Sequence, residues 1–565
     1  MPSTSAPVNS PAPLTARSLA ALLLVFALVW FCNLDFRRLV HPDEGRYAEI
    51  PREMVASGDW VTPRLDGVKY FEKPALQYWV TAATYEVFGV HEWAARLWPA
   101  LAGFLGVIFI GYVGFRVGGP AVGLYSAAVL GGSVAYVLEA HILTLDAALT
   151  LWMTVGLGGL FLAQRDRATA GERRTWMWLA WAALALATLS KGLIGIVLPG
   201  GVLVLYSLIE RDWALWRRLH LVSGMLVFLA IAAPWFVVVS LRNPEFFNFF
   251  FIHEHFTRFL TTEHRREGPW WYFIPIFMVG ILPWLTVLAW TARRSWTEAR
   301  ATERGFSWQR FAIIWSVFIF LFFSASGSKL PSYILPIFPA MALVIGWQLT
   351  RIQAATLLRL IVPLVVAMGL LALVALAGFG ALAERIADEK QPLAPLLAYG
   401  TWIRIAVVVA LAGGILAWWW LARGERTRPV LTLALASLAW TQLMVTGFDA
   451  LAESRSTEPI LLRATTRGAL ATGVPFYSVR MYDQTLPYYL GRTVIPVAHA
   501  DELAMGIALE PDKAIATVGE WKNRWEGADQ AYAIMQPEQY EKLRRDGVPM
   551  VELARDPRRV IVARR

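Results

Sequence analysis

Residues 75–90, ALQYWVTAATYEVFGV, decide how the rest of the chain is laid out. They are mostly apolar, yet they fall short of the about 20 residues that a helix needs to cross a bilayer core. They also carry Gln77, Thr81, Thr84 and Glu86. We therefore read the segment as lying at the membrane interface. If it crossed instead, every loop downstream would change sides.

Outward from this segment, apolar runs long enough to be crossings recur at roughly 18–34, 94–116, 119–138, 147–164, 176–190, 192–209, 218–240, 271–291, 309–324, 332–350, 356–380, 403–422 and 429–449, about 13 in all. The first is expected to stay as an anchor, since no small-residue cleavage site follows Leu34. The gaps holding Arg165, Arg167, Arg173 and Arg174, then Arg211, Arg217 and Arg218, then Arg293, Arg294, Arg300, Arg304 and Arg310, and finally Arg423, Arg426 and Arg428 alternate with less basic ones. That is the positive-inside pattern. It predicts residues 1–17 inside, and an odd number of crossings then puts the C-terminus outside. One conflict stands: loop 35–93 is also basic, but the rule weakens for loops of that length.

Composition agrees. Hydrophobic residues make up 57% of the chain and charged residues 17%. That balance describes an integral membrane protein. The net charge of +10 is explained by the cytoplasmic loops, so no nucleic-acid partner is needed. A single cysteine, Cys32, excludes a disulfide framework and a cysteine-built metal cluster. From about 451 the composition shifts to predicted strands at 474–479 and 493–497, a helix in QPEQYEKLRRDG and a strand in RRVIVAR. The predicted fold is an all-α polytopic membrane domain, residues 18–450, followed by a small extracytoplasmic α/β domain, 451–565.

This topology gathers the chemically rich loops on the outer side. Residues 41–79, HPDEGRYAEIPREMVASGDWVTPRLDGVKYFEKPALQYW, place Asp43 and Glu44 just after the first crossing, followed by Arg46, Tyr47, Tyr70, Glu72 and Lys73. Taken alone, such residues could form solvated ion pairs. Asp146 at the start of one crossing and Lys191 inside an apolar stretch favour a cavity, because a charge costs roughly 2.5–3.5 kcal/mol at the bilayer centre. Snorkelling is the alternative for Lys191, and a helix cap for Asp146. The loop FFIHEHFTRFLTTEHRREGPWW, 250–271, adds His253, His255, Arg258, His264, Arg265 and Arg266, while SASGSKLPSY, 324–333, adds Lys329 and Tyr333. Cations on several loops at one aqueous boundary suit a phosphate-bearing lipid headgroup. His253 and His255 with Glu72 or Glu254 are the residue types that would signal a divalent metal such as zinc.

A Walker loop, a GxGxxG fingerprint and a GxSxG elbow are all missing, which argues against ATP-driven transport. A flippase would call for Gly/Pro-interrupted helices paired in two related halves. Only the break near Lys191 has that character. A scaffold would leave the clustered cations unexplained.

The first run followed by HPDEGRYAEIPREM, 41–54, and then GDWVTPRLDGVKYFEKPALQYW, 58–79, resembles the bacterial GT-C glycosyltransferases, and among them the aminoarabinose transferases related to protein mannosyltransferases. The resemblance covers the membrane region, the large first external loop and the external C-terminal domain. It implies transfer of 4-amino-4-deoxy-L-arabinose from undecaprenyl phosphate to a lipid A phosphate at the periplasmic face of the inner membrane, with polymyxin resistance as the outcome. The same reaction class with another sugar, or with protein Ser/Thr or another envelope lipid as acceptor, stays open. The resemblance further implies Asp43 at the reaction centre with Asp146 as a second acid. Glu44, Arg46, Lys73, Lys191, Arg258 and Lys329 are then the expected surroundings of the lipid phosphate, and Tyr47, Tyr70 and Tyr333 line the cavity. Glu72 and His253 are the residues for a metal. No nucleotide or other cofactor is required, since the lipid phosphate is already a good leaving group.

Overall fold

The structure, a computed structural model, describes residues 15–257, 268–299, 301–303, 305–466, 468 and 470–564, leaving out the side chains of 255–257. Arg258, His264, Arg265 and Arg266 therefore lie outside the described residues, as do residues 1–14 and the side chain of His255.

Each apolar run in the sequence becomes helical. The first half of the chain forms α1 (Ala16–Phe31), α2 (Asp43–Ser57), α3 (Leu76–Phe88), α4 (Glu92–Gly118), α5 (Pro120–Gly131), α6 (Val134–Ala140), α7 (Asp146–Gln164), α8 (Ala170–Lys191), α9 (Ile194–Glu210) and α10 (Leu221–Arg242). Among the described residues eight helices are long and apolar enough to cross a membrane, or up to ten if each of two bent pairs is one span. The bends are 66° between α5 and α6 and 103° between Phe273–Gly280 and Leu285–Thr297. α1 and α9 are shorter apolar helices. Length and composition thus account for fewer crossings than the about 13 expected from the apolar runs.

The deciding segment is α3, a helix of 13 residues. That length reaches about 20 Å, against a hydrocarbon core of about 30 Å. Gln77, Thr81 and Tyr85 are buried, while Val87 and Phe88 at its end are exposed. Polar residues inward and an apolar tip outward describe a helix at an interface.

α2 starts with two acids, Asp43 and Glu44, where the unpaired amides of a helix N-terminus favour negative charge. It stops at Gly58, whose φ is 69°. This is the left-handed conformation that a side chain would resist. Neighbouring residues on a helix point about 100° apart, and here that separates their fates. Asp43 is half-exposed, while Glu44 is buried. Glu44 receives two hydrogen bonds from Arg37, at 2.7 and 2.8 Å, and two from Arg96 of α4, at 2.9 and 3.0 Å. The backbone amides of Val40 and Leu143 complete its shell at 3.2 and 3.1 Å. Burial alone would raise its pKa, but the two guanidinium groups override that and hold the carboxyl well below the usual range. Glu44 is a tie between α2, α4 and the 141–145 loop. The expectation that it faces a lipid phosphate is corrected, since its acceptor capacity is used inside the protein.

The C-terminal domain is a five-stranded sheet of β3 (Phe476–Val479), β4 (Ile495–Val497), β5 (Ala531–Met535), β6 (Val551–Arg555) and β7 (Val560–Arg564), in the order β4-β3-β5-β7-β6. β3 is parallel to β4 and β5, whereas β7 is antiparallel to β5 and β6. Helices Val518–Glu526 and Pro537–Arg545 bury Trp521, Trp525 and Tyr540 with it. The domain sits on α2 and on the hairpin β1 (Arg64–Leu65) and β2 (Val68–Lys69). Contact is close enough that a Cβ on Gly45 would lie 2.5–2.6 Å from the Gln484–Thr485 backbone.

Two buried carboxyls lie under this contact. Glu53 accepts from the Gly67 amide at 2.9 Å and Asp66 from the Val494 amide at 2.7 Å, and each keeps one oxygen without a partner. Burial pushes both upward. Repulsion from Glu49 adds to this, and from Asp66 as well in the case of Glu53, while the Val494 bond opposes it for Asp66. A carboxyl raised by folding stabilises the native state below its unfolded pKa of about 4 and loses that contribution as pH climbs through the folded value. Stability is therefore expected to decline toward alkaline pH, and Glu53→Gln to flatten the decline. Melting temperatures of both proteins across pH test this; parallel curves would refute it.

Candidate active site

Beside Arg46, which the C-terminal domain contacts through Glu502, lies a cavity of about 190 Å³. Six stretches of the chain contribute to it: the start of α2, the irregular strap at 72–73, residues 144–149 at the start of α7, residues 191–198 from the end of α8 into α9, Glu254 of the helical segment Asn248–Thr257, and residues 322–336. Asp43, Arg46 and Tyr47 come from α2, Glu72 and Lys73 from the strap, Asp146 from α7, Lys191 from α8 and Tyr333 from the last loop. Asp43, just past the first helix, and Tyr333, far along the chain, thus share one space.

Each cation here is held by carboxylates. The Lys73 ammonium donates to the Glu72 carbonyl at 2.8 Å and lies 3.4 Å from the Glu254 carboxylate and 4.0 Å from that of Glu72. Lys191 pairs with Asp146 and lies 4.9 Å from the centroid of the Tyr333 ring, so a cation–π contact adds to the ion pair. Arg46 lies 3.7 Å from Asp43 and 2.7 Å from Glu502 of the C-terminal domain, and donates to the Tyr70 hydroxyl at 3.3 Å. Burial pushes the Tyr47 and Tyr70 hydroxyls upward, so both are neutral. It also raises the Glu502 carboxyl, although Arg46 opposes this.

The sequence reading expected a pool of positive charge. What is present is an alternation, with Arg46, Lys73 and Lys191 interleaved among Asp43, Glu72, Asp146 and Glu254. Such a cavity can exchange partners: a phosphate that enters can draw an ammonium or guanidinium from its carboxylate, a contact made with a full charge on both sides.

Asp43, Arg46, Tyr47, Glu72, Lys73, Asp146, Lys191 and Tyr333 are brought together as the sequence suggested. Three others stand elsewhere. Glu44 is in the buried tie described above. Tyr70 is buried behind Arg46 and supports it rather than lining the space. Lys329 is buried with its ammonium on the Ser326 carbonyl of its own loop. His253 neighbours Glu254, Nδ1 to carboxylate 3.7 Å, and no three His, Cys, Asp or Glu side chains converge in metal-binding fashion among the described residues.

Two residues went unread. Glu502 lies in the C-terminal domain, far from Arg46 in sequence, in an ordinary-looking HADEL stretch, and nothing local marks it. Glu139 of α6 interacts electrostatically with Asp146, Lys191 and Asp43. A lone acid in an apolar run was the available signal.

Comparison with known proteins places this geometry. Residues 15–299 match the dolichyl-phosphate-mannose-protein mannosyltransferase family, and residues 462–564 match the aminoarabinose transferase C-terminal domain. The undecaprenyl phosphate-alpha-4-amino-4-deoxy-L-arabinose arabinosyl transferase 1 of Pseudomonas fluorescens strain Pf-5 is 33% identical over 414 residues, 71% of this chain and 70% of that protein. The similarly named transferase of Enterobacter sp. strain 638 is 31% identical over 342 residues, 59% of each. Among solved structures, ArnT from Cupriavidus metallidurans bound to undecaprenyl phosphate superposes with a TM-score of 0.91 at 38% identity, covering 98% of this chain and 99% of that one.

Proposed function

Because the chain belongs to the aminoarabinose transferase family of GT-C glycosyltransferases, we propose that its cavity moves 4-amino-4-deoxy-L-arabinose from undecaprenyl phosphate to a phosphate of lipid A. The protein is a multi-pass membrane glycosyltransferase that uses a lipid-linked sugar donor. The reaction side is the periplasmic face of the inner membrane, in keeping with the basic loops on the opposite side.

In this reading the donor phosphate enters beside Lys73 and Arg46. As the bond between the sugar C1 and the lipid phosphate breaks, negative charge grows on the departing phosphate, and these two cations stabilise it more strongly than they do the bound donor. An oxygen of the acceptor phosphate forms the new bond from the opposite face and inverts the configuration. A phosphomonoester with a second pKa of about 6 is largely ionised at neutral pH, so no base has to remove a proton. Asp43 then orients the acceptor and offsets the positive charge on the sugar. Asp146 holds Lys191 against Tyr333, fixing one wall. The observation that carries the reading is the convergence of Asp43, Arg46, Lys73 and Lys191 on one cavity. The 38% identical fold with bound undecaprenyl phosphate supports it.

A divalent metal such as zinc, if bound, would be held by Glu72 and His253 and would supply Lewis-acid polarisation of the phosphate. His253→Ala is expected to lower transfer mildly, less than any change at Lys73. Activity and metal content measured together decide: if neither moves, the metal assignment is discarded.

Mass spectrometry of lipid A from cells with and without the gene tests the function. Addition of one aminoarabinose that depends on the gene is the expected result, and unchanged lipid A would overturn the assignment. Sugar appearing on envelope protein instead would keep the reaction class and replace the acceptor.

A further inference from the structure

A second concavity, a groove of about 390 Å³, opens among α1, α4, α5 and the helix Thr427–Gly447. Its walls include Leu19, Phe26, Ile108, Phe115, Ala127 and Leu431, and its surface is almost wholly apolar. The groove uses the first half of α1, the last half of α4, the length of α5 and the start of Thr427–Gly447. Asp43 follows the far end of α1, so groove and candidate active site lie in opposite leaflets.

Small residues keep the groove open. A Cβ on Gly123 would lie 2.6 Å from the Gly111 carbonyl, so α4 and α5 meet backbone to backbone and send no bulk outward. The mouth is basic. Arg426, the N-cap of Thr427–Gly447, has a shielded Nη1 without a hydrogen-bond partner and acts electrostatically on Tyr125 of α5. Arg116 follows Phe115 and donates to the hydroxyl of Tyr112, another wall residue. Arg17 sits just before Leu19 on the same helix. Arg116 is itself paired, with Glu172 at 3.1 Å, whereas Glu425 lies 3.3 Å from Arg428.

We propose that this groove binds an anionic phospholipid of the leaflet opposite the candidate active site, one acyl chain lying against Ala127 and Leu431 and the phosphate at Arg426. Within the hydrocarbon layer only a lipid chain is at hand to fill an apolar furrow, and the basic rim selects the headgroup. Undecaprenyl phosphate does not fit both ends, because its phosphate is needed near Lys73 on the other side.

Native mass spectrometry of the full-length protein in detergent, with phosphatidylglycerol and phosphatidylcholine of matched chains as probes, tests the proposal. Wild type is expected to retain phosphatidylglycerol about fivefold better, the contribution of roughly one basic residue. Arg426→Gln brings the ratio toward one, and Ala127→Phe, which fills the furrow, removes both adducts. Leu431→Trp fills it from the opposite wall and has to agree, with size-exclusion profiles showing that both variants are intact. Equal retention of the two lipids by wild type, or full retention by the intact fillers, overturns the proposal. So does displacement of phosphatidylglycerol by added undecaprenyl phosphate, which would make the groove a channel for the donor tail.

Discussion

Lys73→Ala is expected to lower sugar transfer by about 10²–10³-fold, the loss typical of removing one preorganised charge from a developing oxyanion. The ammonium is already fixed by the Glu72 carbonyl and flanked by Glu72 and Glu254, so it reaches the phosphate without first being ordered. Asp43→Asn keeps the shape of the side chain and removes its charge, and a loss at least as large is expected there. Release of undecaprenyl phosphate by purified protein supplied with donor and acceptor is the measurement, with expression and melting temperature as controls. Near-normal turnover in either folded variant would dismiss the assignment of that residue.

The second large effect is on stability. Arg96→Ala leaves Glu44 buried with half of its charge compensation gone and removes the hydrogen bonds to the backbone carbonyls of Leu34, Arg37 and Arg38. Breaking a buried pair in this way costs about 3–5 kcal/mol. Adding Glu44→Gln to Arg96→Met is expected to destabilise further rather than rescue, because it leaves the Arg37 guanidinium buried without its carboxylate. Thermal or denaturant unfolding in detergent checks both; a double variant at least as stable as Arg96→Met alone would contradict this account. The pairing also sets a pH limit. A carboxyl depressed by folding contributes stability above its unfolded pKa, about 4, and loses it as pH falls toward the folded value. Acid therefore loosens this tie, while alkali loosens the one at Glu53.

The membrane architecture was legible because hydrocarbon imposes a length and a composition on whatever crosses it. α3 could be set apart from the crossings on those grounds alone: too short, and with Gln77 and Thr81 on its inner face. The bends between α5 and α6 and at Leu282–Pro283 were not legible, since an apolar run looks the same whether straight or folded back. β5 was missed for a related reason. β5, AYAIM, is buried almost throughout, and a strand covered on both faces shows no two-residue alternation. Within the site, adjacency misled at Asp43 and Glu44, because one step along a helix turns a side chain from the cavity into the core. Glu44 could be separated only by knowing where Arg96 lies. Arg46 was found, but its partner Glu502 belongs to a domain whose docking the sequence does not announce.

That docking governs the order of assembly. The Gln484–Thr485 backbone presses on Gly45, and Glu502 holds Arg46 from above. Both are encoded after the last membrane helix, so a nascent chain with all its membrane helices inserted has yet to acquire the domain that braces the start of α2. Translation and export have to run past Glu502 before the donor meets a finished centre, and a stop codon between Gly447 and Glu502 yields a chain with its membrane helices whose Arg46 keeps Asp43 but lacks its nearer acidic partner.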